Sequence, residues 1–422
     1  MIGSGIFSIT GLWGPSLGSG TNLILAWVFG GLLALAGALT VAELAAQRPE
    51  RGALYVAACE TMGPALGFLN GTVTVLVGYV AANAYIAGVI AAYLQPIIPW
   101  CHPVIVATSI VVLLTLVHAR WLHAGARLND LMSALKIILL LIFAVAGLFM
   151  AVEPASTSTQ LNTATPAPWS AVMGAAVVAI SFAYLGWGAA ADVAGEIKKP
   201  QRNLPLAILG SIAVVTTLYV LVNLAFIHAI DPANMVDANG EPMANIGSEA
   251  AHILFGPTIG QLMTFGIIAV LISTLSTMIF AGGRVIMAMA TYGQLPRSLS
   301  QQSSRSVPAR AITMQMILCF PFLWLPTLGS LLEYIGLLIT ICSAMSGAAV
   351  LIRRRRLKRV IWSMPLYPIP VVVFLALSTW LAISATITAP ITAIYSGLTL
   401  VVILACRPVL HWKTELPPSE IN

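Results

Sequence analysis

Two short stretches of this sequence have the residue types to grip small charged groups without using a charged side chain. The first is Gly3-Ser4-Gly5-Ile6-Phe7, followed by Gly11 and Gly14-Pro15; the second is Ser181-Phe182-Ala183-Tyr184-Leu185-Gly186-Trp187-Gly188. Glycine weakens a helix because it gives up more backbone freedom on ordering than any other residue. Where a helix starts, free N–H groups favour a carboxylate; where it stops, free C=O groups favour an ammonium. Two facing breaks can therefore hold both ends of a zwitterion. The alternative role for such glycines is close packing of helices.

Lys136, in Ala134-Leu135-Lys136-Ile137, is the basic residue set well inside an apolar run. Placing a lysine near the centre of a membrane helix costs roughly 2.5–3.5 kcal/mol, unless it snorkels to the interface. Glu43 and Glu196 stand at the ends of apolar runs, with Asp192 one turn before Glu196. The three acids read as a cytoplasmic gating network paired with loop arginines and lysines. His118 and His228 read as interfacial, with no metal role. The chain shows no nucleophile–base constellation, no HExxH and no phosphate-binding loop, which argues against an enzyme and against direct ATP drive.

The elements that must position these groups are membrane spans. The chain has 422 residues, of which 59% are hydrophobic and 8% charged, where a soluble domain has about a quarter charged. Apolar runs near 1–12 (partial), 22–46, 69–94, 103–119, 131–151, 170–195, 204–229, 258–281, 311–328, 332–352, 366–386 and 390–406 predict about twelve transmembrane helices. Basic residues alternate with the loops. One set carries Arg48 and Arg51; Arg120 and Arg127; Lys198, Lys199 and Arg202; Arg297, Arg305 and Arg310; and Arg353 to Arg356 with Lys358 and Arg359. The intervening loops carry neither Lys nor Arg, so the positive-inside rule puts both termini in the cytoplasm. The run Arg353–Arg356 reads as a topological anchor rather than a nucleic-acid or lipid site. Cys59, Cys101, Cys319, Cys342 and Cys406 are scattered, odd in number and without metal spacing, so neither a disulfide framework nor a zinc site is expected.

The two glycine breaks fall in the first and the sixth span. Unwound backbone survives in a membrane only where it is buried or lines a cavity. Breaks at corresponding positions of two halves are the pattern of transporters built from inverted repeats. The expectation is one all-α transmembrane domain over 1–422, with a first five-helix repeat over 1–151, a second over 170–352 and two further helices over 366–406.

An ordered set of motifs resembles the amino acid–polyamine–organocation permease superfamily. Gly3-Ser4-Gly5-Ile6-Phe7 is similar to its first-helix motif; Ala42-Glu43-Leu44-Ala45 with Pro49, Gly52 and Tyr55 to the end of its second helix; and Phe182-Ala183-Tyr184-Leu185-Gly186-Trp187 to its broken sixth helix. Gly195-Glu196-Ile197-Lys198-Lys199-Pro200-Gln201-Arg202-Asn203-Leu204-Pro205 resembles the cytoplasmic signature that follows, and Arg284, Ala288-Met289-Ala290, Gly293 and Leu295-Pro296 the stretch after helix eight. The sixth helix and Leu113–Leu148 resemble the L-type transporter branch and its bacterial relatives. The resemblance implies a LeuT-like fold with broken helices 1 and 6. Met1 stands immediately before the glycine motif, so by the same resemblance the first half of helix one is expected to be absent. Ala53 replaces a frequent second glycine, and Gly188 an asparagine found in some L-type relatives.

The resemblance also implies roles. Ser4 and Gly5, flanked by Ile2, Gly3 and Ile6, would bind the carboxylate of an amino acid. Carbonyls of Met1, Ile2, Phe182 and Leu185 would take its ammonium, within a second cradle of Phe182, Ala183, Tyr184, Leu185 and Gly186. Phe182 would be an aromatic lid. Lys136 would stand in for a sodium ion, with Thr274 and Thr277 as oxygen partners. The expected function is secondary active transport of amino acids across a bacterial inner membrane, by proton symport or exchange. With no acidic residue in either break, neutral amino acids are favoured. The alternative is a transporter-like amino-acid sensor or assembly partner. No cofactor, metal or nucleic-acid partner is expected beyond substrate and bilayer. Cys101, placed where some relatives bond a glycoprotein heavy chain, reads as a chance outer-loop cysteine.

Overall fold

Long apolar segments in lipid must satisfy every backbone N–H and C=O within the chain, and a helix does so locally. The computed structural model describes residues 2–47, 53–120, 125–149, 168–186, 199–237, 239–291, 293–301, 307–356 and 362–410. Among these residues there is no strand, only one isolated bridge between Val236 and Pro242. The helices are α1 (Gly5–Leu17), α2 (Gly20–Gln47), α3 (Ala53–Met62), α4 (Pro64–Val73), α5 (Ala82–Leu94), α6 (Pro103–Arg120), α7 (Gly125–Phe149), α8 (Trp169–Tyr184), α9 (Pro200–Ala229), α10 (Ile246–Thr291), α11 (Ala309–Trp324), α12 (Leu328–Arg356), α13 (Ile369–Thr388) and α14 (Pro390–Leu410). A π-helical stretch, Thr74–Ala81, joins α4 to α5.

Among the described residues, eight helices are long and apolar enough to cross a membrane, the longest being Ile246–Thr291, which is kinked. Shorter apolar helices run over Leu131–Ala146, Trp169–Tyr184 and Ala309–Trp324. Proline opens α4, α6, α9 and α14, a position where its missing N–H has no intrahelical partner to lose. Inside α10, Gly256 has φ 78° and splits the helix into two limbs, with Pro257 starting the second. Many large side chains on α6, α7, α13 and α14 point outward, Leu113, Leu148, Val372 and Ile394 among them; they form the lipid-facing surface of a multi-pass membrane protein.

The core centres on α1, whose residues from Gly5 to Gly11 are all buried. It packs against α8, α10, α2 and α9. The loop between α9 and α10 closes over its C-terminal half: Met235 is fully buried, and a Cβ on Gly14 would sit 2.7 Å from the Met235 sulfur.

Candidate functional site

Both glycine stretches are helix ends, and they touch. α1 begins at Gly5, so the first break is Ile2–Ser4. α8 stays helical through Tyr184, and the chain turns at Leu185. The second break thus starts later than the stretch from Ser181 suggested; Trp187 and Gly188 lie outside the described residues, as does Met1. A Cβ on Gly5 would lie 2.5 Å from the Ala183 Cβ and 2.9 Å from its Cα. Only glycine permits that approach. The N-terminal end of α1, with its partial positive charge, therefore abuts the C-terminal end of α8, with its partial negative charge.

The polar groups here are only partly satisfied. The Ser4 hydroxyl is buried and has no hydrogen-bond partner among the described residues. The Ser4 carbonyl accepts from the Ser8 hydroxyl at 2.9 Å and from the Phe7 N–H at 3.1 Å. At the other end, Leu185 N–H reaches the Phe182 carbonyl at 3.4 Å. Ser4, Gly5, Ile6, Ala183 and Tyr184 are buried, whereas Ile2, Gly3, Phe182, Leu185 and Gly186 keep partial exposure. The open surface of the site lies on that second set.

Three buried tyrosines frame the breaks, and the sequence reading did not single out two of them. Tyr85 on α5 hydrogen-bonds Ser8 at 2.7 Å and packs edge-on against Phe182, with ring centroids 5.3 Å apart. Because the single Ser8 proton goes to the Ser4 carbonyl, Tyr85 is the donor. Tyr219 on α9 donates to the Ala183 carbonyl at 3.3 Å. Tyr184 donates to the Trp27 carbonyl at 3.2 Å, and its ring packs with those of Trp27 and Tyr219. Further along α1, Tyr93 donates to the Phe7 carbonyl at 2.6 Å and accepts from Gly247 N–H at 3.0 Å, and Thr10 donates to Asn223. The signal for all of these was a hydroxyl or amide inside an apolar span, which must find a partner. Removing only the Tyr85 hydroxyl, by Tyr85→Phe, is expected to weaken amino-acid binding by up to about tenfold, since a net hydrogen bond contributes about 0.5–1.5 kcal/mol. Tyr85→Ala, which also frees Phe182, is expected to weaken it further. Calorimetric titration of the two variants checks the order.

Lys136 is 8% exposed and forms no hydrogen bond or ion pair among the described residues. α7 begins at Gly125 and its apolar part runs over Leu131–Ala146, so Lys136 sits five residues into that part, about 7.5 Å at 1.5 Å per residue. Thr274 and Thr277 are not brought to the lysine by a hydrogen bond: their hydroxyls donate to Val270 and Ser273 of their own helix, and Thr277 is exposed.

Glu43 is fully buried at the end of α2. Arg354 reaches it with Nε to Oε1 at 2.6 Å and Nη2 to Oε2 at 2.8 Å, and Met364 N–H donates to Oε2 at 2.9 Å. Arg353 lies 3.6 Å from Glu60. The arginine run read as a topological anchor is thus also half of an ionic clamp. Asp192 and Glu196 lie outside the described residues. His118 bonds Ser276 at 2.7 Å across α6 and α10. Cys101 is a half-buried free thiol between α5 and α6.

The family model described as amino acid permease matches residues 1–405. The serine/threonine exchanger SteT of Bacillus subtilis (strain 168) is 30% identical over 418 residues, covering 97% of this chain and 93% of that one. The large neutral amino acids transporter small subunit 2 of Mus musculus is 28% identical over 394 residues, covering 89% and 70%. The methylthioribose transporter of Bacillus subtilis (strain 168) is 26% identical over 380 residues, covering 84% and 78%.

Proposed function

Because this chain belongs to the amino acid permease family, we propose that it carries neutral amino acids across the plasma membrane by alternating access around the two helix breaks. It is an amino-acid transporter and a multi-pass membrane protein, not an enzyme. The observation that carries the finer reading is the contact of Gly5 with Ala183 beside a buried Ser4 hydroxyl that has no partner among the described residues. In this reading the first-turn N–H groups of α1 and the Ser4 hydroxyl take the carboxylate. The carbonyls at the end of α8 take the ammonium, and Phe182 covers the substrate. Oppositely directed helix ends supply both partial charges, so no acidic side chain is needed. A cationic substrate side chain finds no counter-charge, which favours neutral amino acids.

The proposed architecture is a LeuT-like bundle of twelve spans with cytoplasmic termini. Residues 1–151 and 170–352 form the inverted repeats, and 366–406 adds two helices. Supporting it are the alternation of basic loops, the paired breaks and the packing of α1 against α8. Lys136 serves as a fixed cation on α7 facing α10, in place of a bound metal ion. Amino acids move by proton symport or by exchange. Glu43 shapes the inner gate, and Cys101 has no glycoprotein partner.

The test is uptake of radiolabelled L-serine, L-alanine, L-leucine and L-lysine into proteoliposomes, with and without a proton gradient or internal amino acid. Methylthioribose, which is not a zwitterion, serves as competitor. Saturable neutral uptake is expected, cut at least tenfold by Phe182→Ala and by Lys136→Ala. Binding without uptake in either mode would turn the reading to a sensor. Inhibition by methylthioribose as strong as by unlabelled L-serine would refute a site built on the two charged ends.

A further inference from the structure

The arginines that close α12 are not used alike. Arg353 lies 3.6 Å from Glu60, and Arg354 is forked onto Glu43. These two are half-buried, whereas Arg355 and Arg356 are exposed. Arg356 donates to the Glu60 backbone carbonyl at 3.5 Å. Arg355 makes no hydrogen bond or ion pair among the described residues. Topology asks only that positive charge lie on one side of a span. It does not ask that half of the run be pinned to acids and half turned outward.

The helix sets the depth of the outward pair. Residues 334–352 of α12 carry no charge and measure about 28 Å at 1.5 Å per residue. That is close to the thickness of a bilayer's hydrocarbon core, about 30 Å. With this stretch in the core, Arg355 and Arg356 stand among the headgroups. The loop that follows is fastened at the same level. Met364 N–H donates to Glu43 at 2.9 Å, and the Tyr367 ring lies 4.1 Å from the Arg354 guanidinium. Between these two anchors Leu366 is held at φ 58°, a left-handed conformation uncommon for a bulky residue. It is 76% exposed, and Ile369, whose N–H donates to its carbonyl, is 60% exposed. Arg355 adjoins Arg354 and Leu366 adjoins Tyr367, so the Arg354–Tyr367 stack keeps the outward cations and the outward apolar pair in one corner.

We infer that this corner is a docking site for an anionic phospholipid, with Arg355 and Arg356 on the headgroup phosphate and Leu366 and Ile369 against the acyl chains. The partner follows from charge and depth. The acids beside the run, Glu43 and Glu60, are already taken by Arg354 and Arg353, so the outward pair presents uncompensated positive charge. Guanidinium groups match phosphate oxygens in fork geometry. A zwitterionic headgroup brings an ammonium of its own, which two guanidiniums repel, whereas an anionic one does not. The exposed apolar pair suits a ligand that carries hydrocarbon beside its phosphate. The inference needs α12 to span the membrane and nothing of the substrate site proposed above. The run that the sequence marks as a topological anchor then has two further uses, one pair of arginines in the clamp and the other on lipid.

The experiment compares the full-length parent, the pair Arg355→Gln with Arg356→Gln, and a charge-matched control, Arg202→Gln with Arg297→Gln, which removes two exposed arginines elsewhere. Each chain is freed of lipid in micelles and titrated with dioleoyl-phosphatidylglycerol or dioleoyl-phosphatidylcholine, and bound lipid is counted by native mass spectrometry. A basic residue near an anionic surface contributes about fivefold to binding. The parent should therefore prefer phosphatidylglycerol by at least about tenfold at low salt. The preference should shrink in about 0.5 M NaCl, because exposed charges are screened. The Arg355→Gln, Arg356→Gln chain should fall to within about twofold of no preference, while the control keeps the parent's. Leu366→Ser should weaken both lipids alike, by about threefold. A parent without preference, a Gln pair that retains it, or a control that loses as much as the Gln pair would overturn the inference. So would Leu366→Ser that binds both lipids like the parent. Displacement of phosphatidylglycerol by equimolar glycerol phosphate would also overturn it, since the occupant would then be a soluble phosphate and not the membrane.

Discussion

Gly5→Ala is expected to reduce amino-acid uptake to background, a loss of more than about 100-fold, while leaving a folded protein; a misplacement near 1 Å is enough for an effect of that order at a constrained site. The added methyl would stand 2.5 Å from the Ala183 Cβ, 2.9 Å from the Ala183 Cα and 3.2 Å from the Ile9 Cδ1. The Ile9 methyl can move aside. The Ala183 backbone cannot, because it belongs to the last turn of α8 and its carbonyl is held by Tyr219. The two helix ends must part, and the spacing of the carboxylate and ammonium cradles goes with them. Ala183→Gly in the Gly5→Ala background removes the closest atom but not the Cα, so partial recovery, on the order of tenfold, is expected. Ala183→Gly alone costs only the usual glycine penalty of about 0.5–1 kcal/mol in a helix. Uptake by the four chains, with expression and melting temperature as controls, reads the coupling directly. Parent-like uptake by Gly5→Ala, or failure of the second substitution to restore any, would mean that the two ends are not held against each other during transport.

This contact shows what the sequence made legible and where it stopped. Glycines at Gly3 and Gly5 announce a backbone that must end a helix or admit a close neighbour, and the structure has both. That the neighbour is Ala183 rather than another residue of the second stretch depends on helix rotation, which glycine spacing does not specify. The roles of Tyr85 and Tyr219 were hidden for a related reason. A tyrosine in an apolar span declares that its hydroxyl needs a partner, but not which helix supplies it. Lys136 meets the same limit: its place near the start of the apolar run Leu131–Ala146 is plain in the sequence, but the groups that face it on other helices are not. In the fold the backbone is already helical from Gly125, ahead of the apolar run. The arginine run after α12 was read for topology because positive charge at a span end has that meaning wherever it occurs. Its second use depends on Glu43, which lies 311 residues away in the chain.

That second use carries the largest expected effect on stability. Glu43→Ala should destabilise the folded protein by about 3–5 kcal/mol, the range for breaking a buried ion pair from one side. Glu43 is 0% exposed and its Arg354 partner is 18% exposed at the side chain, so the lower end of that range is expected. The carboxylate accepts the Nε and Nη2 of Arg354 in fork geometry together with the Met364 N–H. The guanidinium also lies 4.1 Å from the centroid of the Tyr367 ring and donates to Ser363 at 2.6 Å. Deleting the carboxylate strands a partly buried cation and a buried amide at once, so the C-terminal ends of α2 and α12 lose their common anchor. Glu43→Gln keeps an acceptor for Met364 and should cost less. The double change Glu43→Leu with Arg354→Met removes both charges and should recover much of the loss, because an apolar pair of similar volume needs no desolvation of ions. Thermal unfolding in micelles at low and high salt checks the series. A buried pair is screened little, so the ranking should survive high salt. If Glu43→Ala melts with the parent, the clamp contributes nothing to the folded state.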